Sequence, residues 1–194
     1  MPFDPFSTRN DADLLALYAS GDRKASAELA KRLLPRVYNH ASRVLGDASE
    51  AEDVAQEAMM RLWRIAPEWR NGDAQVSTWL FRVTANLCTD RLRRRRNVLI
   101  DDGVELPDDA PSAYSRLQDL TRENALQAAL AQLPERQRQC VLLRHIEGLA
   151  NAEIGEIMDI SPHAVESLTA RGKKTLAAIL EGQKDALGYE NDTE

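Results

Sequence analysis

One segment restricts the fold more than any other, because its apolar and polar residues separate onto two sides at helical spacing. Apolar side chains recur there every three or four positions, at Val76, Leu80, Val83 and Leu87. A second stripe is polar and ends in a run of arginines: Arg82, Asn86, Asp90, Arg93, Arg94, Arg95 and Arg96. This pattern predicts an amphipathic helix that buries one side and presents the other to a polyanion.

The arginine run also has a simpler explanation, which the residues leave open. Basic side chains at the carboxyl end of a helix are favoured by the helix dipole and remain in water. Trp79 and Phe81 are likewise more typical of a core than of a base-stacking platform. Taken together with Asn86 and the polar loop 67–75, however, the arginines favour binding of single-stranded or melted DNA.

Acidic residues are concentrated in two parts of this 194-residue chain, whose formal net charge is −6. Residues 98–119 hold one Arg against six acids, and residues 181–194 hold one Lys against five acids. Residues 11–97 hold 15 basic against 12 acidic side chains. This balance argues against an indiscriminate nucleic-acid coat protein and leaves a mildly basic amino-terminal part.

Nearly every periodic segment indicates helix, so the predicted fold class is all-α. Asp11 or Asp13 is expected to cap a first helix that reaches about Ser20, and Ser49 to open a third with Glu52 as a capping box. The remaining helices are predicted at about 23–45, 76–96, 117–133, 134–147, 151–158 and 162–180. Residues 100–112 contain two prolines, a glycine and five acids, which is typical of a flexible linker. We therefore predict two small helical domains, 11–97 and 120–180, an acidic linker over 98–119 and an acidic tail over 181–194.

The segment 151–171 has the layout of a helix-turn-helix. Asp159 occupies the turn, and Ser161 and Pro162 suit the cap and first residue of the second helix. Gly155 lets the second helix cross closely. Val165, Thr169, Gly172 and Leu176 would face inward, which leaves His163, Glu166, Ser167, Ala170, Arg171 and Lys174 for a major groove. A plain solvated helical hairpin is the alternative.

The helix predicted near residues 49–66 has the opposite charge character. Its buried stripe is predicted at Val54, Ala58, Leu62 and Ile65. Four polar or acidic side chains remain on other sides: Glu52, Asp53, Gln56 and Glu57. They form either a solvated face or a docking surface for a basic or mixed-charge protein partner.

No catalytic, cofactor or metal site is predicted. The three histidines have no cysteine or carboxylate at metal-ligand spacing, and no carboxylate, histidine or serine cluster has a credible catalytic arrangement. Cys88 and Cys140 lie inside helical patterns, which favours reduced, buried thiols. No signal peptide or membrane span is visible, so a cytoplasmic protein without membrane insertion is expected.

Several motifs in combination resemble bacterial RNA polymerase sigma factors of the extracytoplasmic-function (ECF) group, over about residues 11–180. They are Asp47-Ala-Ser-Glu-Ala-Glu-Asp-Val-Ala-Gln-Glu57 with Leu62-Trp63, Thr78-Trp-Leu-Phe-Arg-Val-Thr-Ala-Asn86, Asp90-Arg-Leu-Arg93, Leu133-Pro-Glu-Arg-Gln137, Leu142-Leu-Arg144 and Glu147-Gly-Leu149. The resemblance implies a non-enzymatic initiation factor that binds core RNA polymerase, recognises -10 and -35 promoter elements and melts the -10 region. It also implies control by an anti-sigma factor.

The resemblance further implies a role for each candidate residue. Residues 11–97 would be the region 2-like domain, with core-polymerase contacts at Glu52, Asp53, Gln56, Glu57 and Trp63. Its contacts to -10 DNA would be Arg82, Asn86, Asp90, Arg93 and Arg94. Residues 120–180 would be the region 4-like domain, with -35 contacts at His163, Glu166, Ser167, Arg171, Lys173 and Lys174.

The chain departs from the family pattern at two outward positions of the last helix. The family often has basic residues where this chain has Glu166 and Leu168, so the -35 contacts there are open. Asp159 stands where glycine is frequent. A stand-alone helix-turn-helix repressor or activator remains the alternative function, and a DNA-processing enzyme is a more distant one.

Overall fold

Every regular element that the structure describes is a helix. The structure, a computed structural model, describes residues 8–70, 75–101 and 122–182. Its helices are α1 (Asp11–Ala19), α2 (Arg23–Leu45), α3 (Ala48–Ile65), a short 3-10 helix (Ala66–Glu68), α4 (Val76–Asp101), α5 (Arg122–Ala131), α6 (Glu135–His145), α7 (Asn151–Met158) and α8 (Pro162–Glu181). The predicted all-α fold is confirmed. Within these ranges, no helix is long and apolar enough to cross a membrane.

The chain divides into two compact units, Met1–Asp90 and Arg91–Glu194. The division falls inside α4, which continues to Asp101 and therefore includes the first four residues of the predicted linker. The rest of that linker, most of the acidic tail and residues 71–74 of the polar loop lie outside the described residues. The predicted domain limits stay predictions.

The core of the first unit is formed by the apolar stripes of α1 to α4. Helix α2 contributes Leu29, Leu33 and Val37 at four-residue spacing, and all three are buried. The stripe predicted for α3 is buried at Val54, Ala58 and Leu62, whereas Ile65 is half-buried. In α4, Val76 and Leu80 are buried, and Val83 and Leu87 pack at the edge of the same core.

Two predicted helix caps were wrong by a few residues. Helix α1 is capped by Asn10, whose Oδ1 accepts from the backbone N–H of Asp13 at 2.8 Å. Helix α3 is capped by Asp47, whose Oδ1 accepts from the N–H of Glu50 at 2.9 Å, so Ser49 lies inside the first turn. At both places several short polar residues could have capped the helix. The observed cap is the residue just before the first helical turn, because that residue has the extended backbone that a cap needs.

The second unit contains the predicted helix-turn-helix. Asp159 adopts the left-handed backbone with φ of 53°, which ends α7, and Ser161 Oγ accepts from the N–H of Ala164 at 3.2 Å to begin α8. A Cβ added at Gly155 would lie 2.7 Å from the carbonyl oxygen of Ile160, so the absence of a side chain permits the tight turn. Helix α6 ends at His145, two residues earlier than predicted.

Candidate functional site

One side of α8 is exposed because the opposite side is held in the core of the second unit. Val165, Thr169 and Gly172 are buried, and Leu176 is half-buried. The residues predicted to meet DNA are all exposed: His163, Glu166, Ser167, Ala170, Arg171, Lys173 and Lys174. The predicted -35 residues therefore lie together on the exposed side of one helix. We call this side the α8 outer face.

Two contacts orient polar groups on the α8 outer face. Arg171 donates from Nη2 to Ser167 Oγ and from Nε to the Ser167 carbonyl oxygen, both at 3.3 Å, so its guanidinium lies along the helix. Glu166 Oε2 lies 3.9 Å from His163 Nδ1, and both side chains extend into solvent. Helix α8 thus presents a donor held by Ser167 and an acceptor that remains accessible.

A histidine from α6 lies within the positive potential beside α8. Desolvation lowers the pKa of His145, and the nearby charges of Lys173 and Arg144 lower it further. Lys173 was predicted from its own helix alone, and no sequence signal indicated that His145 accompanies it. A cationic neighbourhood of this kind suits a phosphate group better than a base edge.

The polar stripe of α4 also lies opposite a buried side. Arg82, Asn86, Arg93 and Arg94 are exposed, and Asp90 is half-buried. Thr89 is exposed on the same stripe, seven residues after Arg82. Thr89 was not among the residues predicted from the sequence, although its helical spacing from Arg82 was a signal that could have identified it.

The aromatic residues beside this stripe contribute to the core. Phe81 is 1 % exposed, its ring centroid lies 5.6 Å from that of His40, and the Arg36 guanidinium lies 5.1 Å from its centroid. Trp79 packs edge-on against Trp69 with centroids 6.1 Å apart, at the border of the core. Phe81 is therefore a structural residue and is not positioned to stack on a base.

His40, whose ring packs against Phe81, is fully desolvated. It is 1 % exposed, and neither ring nitrogen has a hydrogen-bond partner among the described residues. Burial and the charge of Arg43 lower the pKa of His40 to about 4. The imidazole is therefore neutral at neutral pH and serves as core.

The predicted docking residues of α3 divide into an exposed group and a structurally engaged group. Glu52, Asp53 and Gln56 are exposed. Glu57 Oε1 accepts from Arg61 Nε at 2.7 Å, and Trp63 packs against Tyr18 of α1 with ring centroids 4.7 Å apart. Trp63 is half-buried and therefore also ties α3 to α1.

An exposed methionine lies among these α3 residues. Met60 is 55 % exposed, four residues after Gln56 and seven after Asp53. Met60 was not among the residues predicted from the sequence, although an apolar residue outside the predicted buried stripe was a signal that could have identified it. We call Glu52, Asp53, Gln56 and Met60 the α3 surface.

The thiols and histidines show no metal-binding arrangement. In the described ranges, no group of three or more His, Cys, Asp or Glu side chains could hold a metal ion. Cys88 and Cys140 are free and buried. Cys140 Sγ lies 3.4 Å from Met158 Sδ, and burial raises the pKa of the Cys140 thiol to about 11, so Cys140 behaves as a core residue.

Two family descriptions match the two helical parts of the chain. Sigma-70 region 2 matches residues 29–98, and Sigma-70 region 4 matches residues 123–176. The chain is 34% identical over 172 residues to the ECF RNA polymerase sigma factor SigM of Mycobacterium tuberculosis, across 89% of this chain and 85% of SigM. The chain belongs to the ECF sigma factors. SigW of Bacillus subtilis, another ECF sigma factor, is 30% identical over 80% of this chain and 89% of its own length.

Two solved structures are similar to this chain, and one of them is a sigma factor. The sigma factor RpoE in complex with the anti-sigma factor NepR from Bartonella quintana has a TM-score of 0.65 and 25% identity, across 80% of this chain and 96% of RpoE. CnrH in complex with the cytosolic domain of CnrY has the same TM-score and identity, across 89% and 97%. The predicted family is confirmed, and this ECF sigma factor functions in promoter-specific transcription initiation. A stand-alone helix-turn-helix regulator does not account for the region 2 match.

Proposed function

We propose that this ECF sigma factor uses three separate surfaces: the α3 surface for core RNA polymerase, the polar stripe of α4 for the -10 element and the α8 outer face for the -35 element. The observation that carries the proposal is that α4 and α8, which lie in the two matched family regions, each expose a polar side with basic residues opposite a buried side. A two-part promoter requires two such faces in one chain.

The α3 surface suits a protein partner that has basic and apolar groups. Glu52 and Asp53 supply negative charge, and Met60 supplies an apolar side chain that desolvates on contact. Interfaces commonly concentrate their binding energy in a few such buried apolar anchors within a polar rim. Glu57 is already paired with Arg61, so we assign it a smaller share of the docking energy than Glu52.

The α4 stripe suits one strand of melted DNA. Arg82, Arg93 and Arg94 attract backbone phosphates, and this contribution carries no sequence information. Asn86 presents an amide that both donates and accepts, so it can recognise the edge of a base. Extruding a base costs a few kcal/mol, which hydrogen bonds to its edge partly offset. We therefore assign selectivity to Asn86 and affinity to the arginines, with Asp90 at the border of the stripe.

The α8 outer face suits the major groove of the -35 duplex. Arg171 has the forked donor geometry that matches guanine O6 and N7, and Ser167 holds it in place. Lys173 and Lys174 lie later on α8, where contacts go to phosphates. The charge of Arg144 acts beside that of Lys173, since both lower the pKa of His145.

An anti-sigma factor is proposed as the regulator, because the structurally similar sigma factor RpoE was solved in complex with the anti-sigma factor NepR. Core polymerase supplies the catalytic site, and the sigma factor contributes recognition alone. We place its action in the cytoplasm, where core polymerase transcribes.

Run-off transcription with core polymerase, followed by mapping of start sites, tests this function. Addition of the protein should produce transcripts from a defined set of promoters that core polymerase alone does not use. Glu52→Gln and Met60→Ala should weaken binding to core polymerase. Glu68→Gln removes the same charge from another exposed position of the first unit and should leave that affinity unchanged. Duplex DNA binding without core binding would contradict the proposal.

A further inference from the structure

Glu166 differs in charge from its neighbours on the α8 outer face. His163, Ser167, Ala170, Arg171, Lys173 and Lys174 are neutral or basic, and Glu166 is the single acidic residue among them. Its side chain is 72% exposed, so nothing in the second unit's core requires it there. A carboxylate on a face that approaches DNA needs a specific partner to offset its repulsion by phosphates.

The position of Glu166 along α8 directs it to base edges. It is the fifth residue of α8, which begins at Pro162. In helix-turn-helix proteins the amino-terminal residues of the second helix reach the base edges, and phosphate contacts are made by basic side chains and backbone N–H groups. Lys173 and Lys174 lie about two turns further on, where phosphate contacts are expected.

The carboxylate is also available to accept a hydrogen bond. In the described part of the chain, its one ion-pair neighbour is His163, at 3.9 Å, which is charged only when protonated. That separation is too long for a hydrogen bond. Arg171, by contrast, donates to Ser167 and so does not neutralise Glu166.

We propose that Glu166 selects, at one position of the -35 element, a base that presents an exocyclic amino group in the major groove. A carboxylate accepts from N4 of cytosine or N6 of adenine and repels O6 of guanine and O4 of thymine. Cytosine is expected over adenine, because adenine also presents the N7 acceptor beside its amino group. The inference rests on the proposed function of the α8 outer face and adds the chemical group that it recognises.

Selection from a promoter library with a randomised -35 region tests the inference. Holoenzyme is assembled from core polymerase and the full-length wild-type, Glu166→Ala, Glu166→Gln or Glu156→Gln protein. The wild type should enrich cytosine or adenine at one position by about tenfold, and Glu166→Ala should abolish that preference while keeping the rest of the motif. Glu156→Gln removes an equal charge from an exposed site on α7 and should keep the whole motif.

Removal of the amino group from the DNA provides the matched measurement. The selected cytosine is replaced by 2-pyrimidinone, or the selected adenine by purine, in an otherwise identical duplex. The affinity of the wild type for the modified duplex should be about tenfold lower than for the unmodified one. The affinity of Glu166→Ala should change no more than that of Glu156→Gln changes when a non-selected position is modified in the same way. An equal loss for wild type and Glu166→Ala, or an unchanged motif in Glu166→Ala, would overturn the inference and leave the proposed function intact. Absence of any -35 motif for the wild type would overturn both.

Discussion

Gly172 of α8 crosses α6 so closely that a Cβ at this position would lie 2.6 Å from Cγ2 of Val141. The carbonyl oxygen of Gln137 would lie 3.3 Å from the same added Cβ. Helix α8 can therefore approach α6 only because residue 172 has no side chain. This crossing supports the helix whose outer face is proposed to read the -35 element.

Gly172→Ala should destabilise the protein despite the higher helix propensity of alanine. Alanine gains about 1 kcal/mol over glycine inside a helix, whereas overpacking typically costs about 1–3 kcal/mol. We expect a net loss of about 1 kcal/mol in the free energy of unfolding, measured by denaturant titration. Gly182→Ala is the matched control, since its Cβ would have no neighbour nearer than 3.6 Å. Equal or greater stability of Gly172→Ala would contradict the close crossing.

The helix-turn-helix was predictable because its signals are local. Asp159 in the turn and Ser161 at the cap act within a few residues of their own positions, and the structure confirms both. Periodicity likewise predicted the exposed side of α8 correctly. The caps of α1 and α3 were wrong because several short polar residues stood near each helix start, and local pattern does not rank them.

Contacts between distant segments could not be predicted in the same way. The packing of Trp63 on Tyr18 joins α3 to α1, and the sequence indicated only that Trp63 was a candidate for docking. The effect of Lys173 on His145 depends on the pairing of α8 with α6. Such relationships depend on how helices pack, and spacing within one helix carries no information about them.

His40 should make stability depend on pH. Its pKa is about 4 in the folded protein against 6.5 for the free group, so the unfolded state binds the proton more readily. The contribution of neutral His40 is therefore fully present above about pH 6.5 and is lost as pH falls towards 4, by about 3 kcal/mol in total. Unfolding free energies measured between pH 7 and pH 5 should show this decline.

His40→Leu should remove that part of the pH dependence. Leucine has no titratable group and leaves no buried nitrogen unpaired, so its curve should be flatter than that of the wild type. His163→Ala, which changes an exposed histidine, should keep the wild-type slope. A slope in His40→Leu equal to that of the wild type would assign the effect to other groups.

Cys140 should resist thiol reagents in the folded protein. Burial raises its pKa to about 11, so little thiolate forms at pH 8, and the side chain is also inaccessible. Ellman's reagent should react slowly with the native protein and rapidly with both cysteines after denaturation. If the native Cys140→Ser variant reacts rapidly, Cys88 is the accessible thiol. If the native wild type reacts rapidly and the Cys140→Ser variant does not, the result contradicts the burial of Cys140.

Arg171 and Lys174 should differ in how they affect -35 binding. Arg171→Ala should weaken binding to the preferred duplex by about 1–3 kcal/mol and relax selectivity at one base pair, because a bidentate base contact is lost. Lys174→Ala should weaken binding to all duplexes alike and reduce the salt dependence by about one phosphate contact. Titrations of preferred and scrambled duplexes at several salt concentrations measure both effects. Unchanged affinity in Arg171→Ala would remove it from the proposed site.

Asn86→Ala should impair promoter opening more than duplex binding. Asn86 is exposed on α4, so its truncation leaves the core of the first unit unchanged while removing the amide proposed to hold an extruded base. Open complexes are measured with holoenzyme by permanganate reactivity of thymines in the -10 region, and -35 binding is measured on duplex DNA alone. Arg171→Ala provides the reciprocal control, with its primary loss in duplex binding. An equal loss of open complexes and of duplex binding in Asn86→Ala would contradict the division between the two faces. A residue that contacts only the opened strand cannot alter the recognition of a closed duplex.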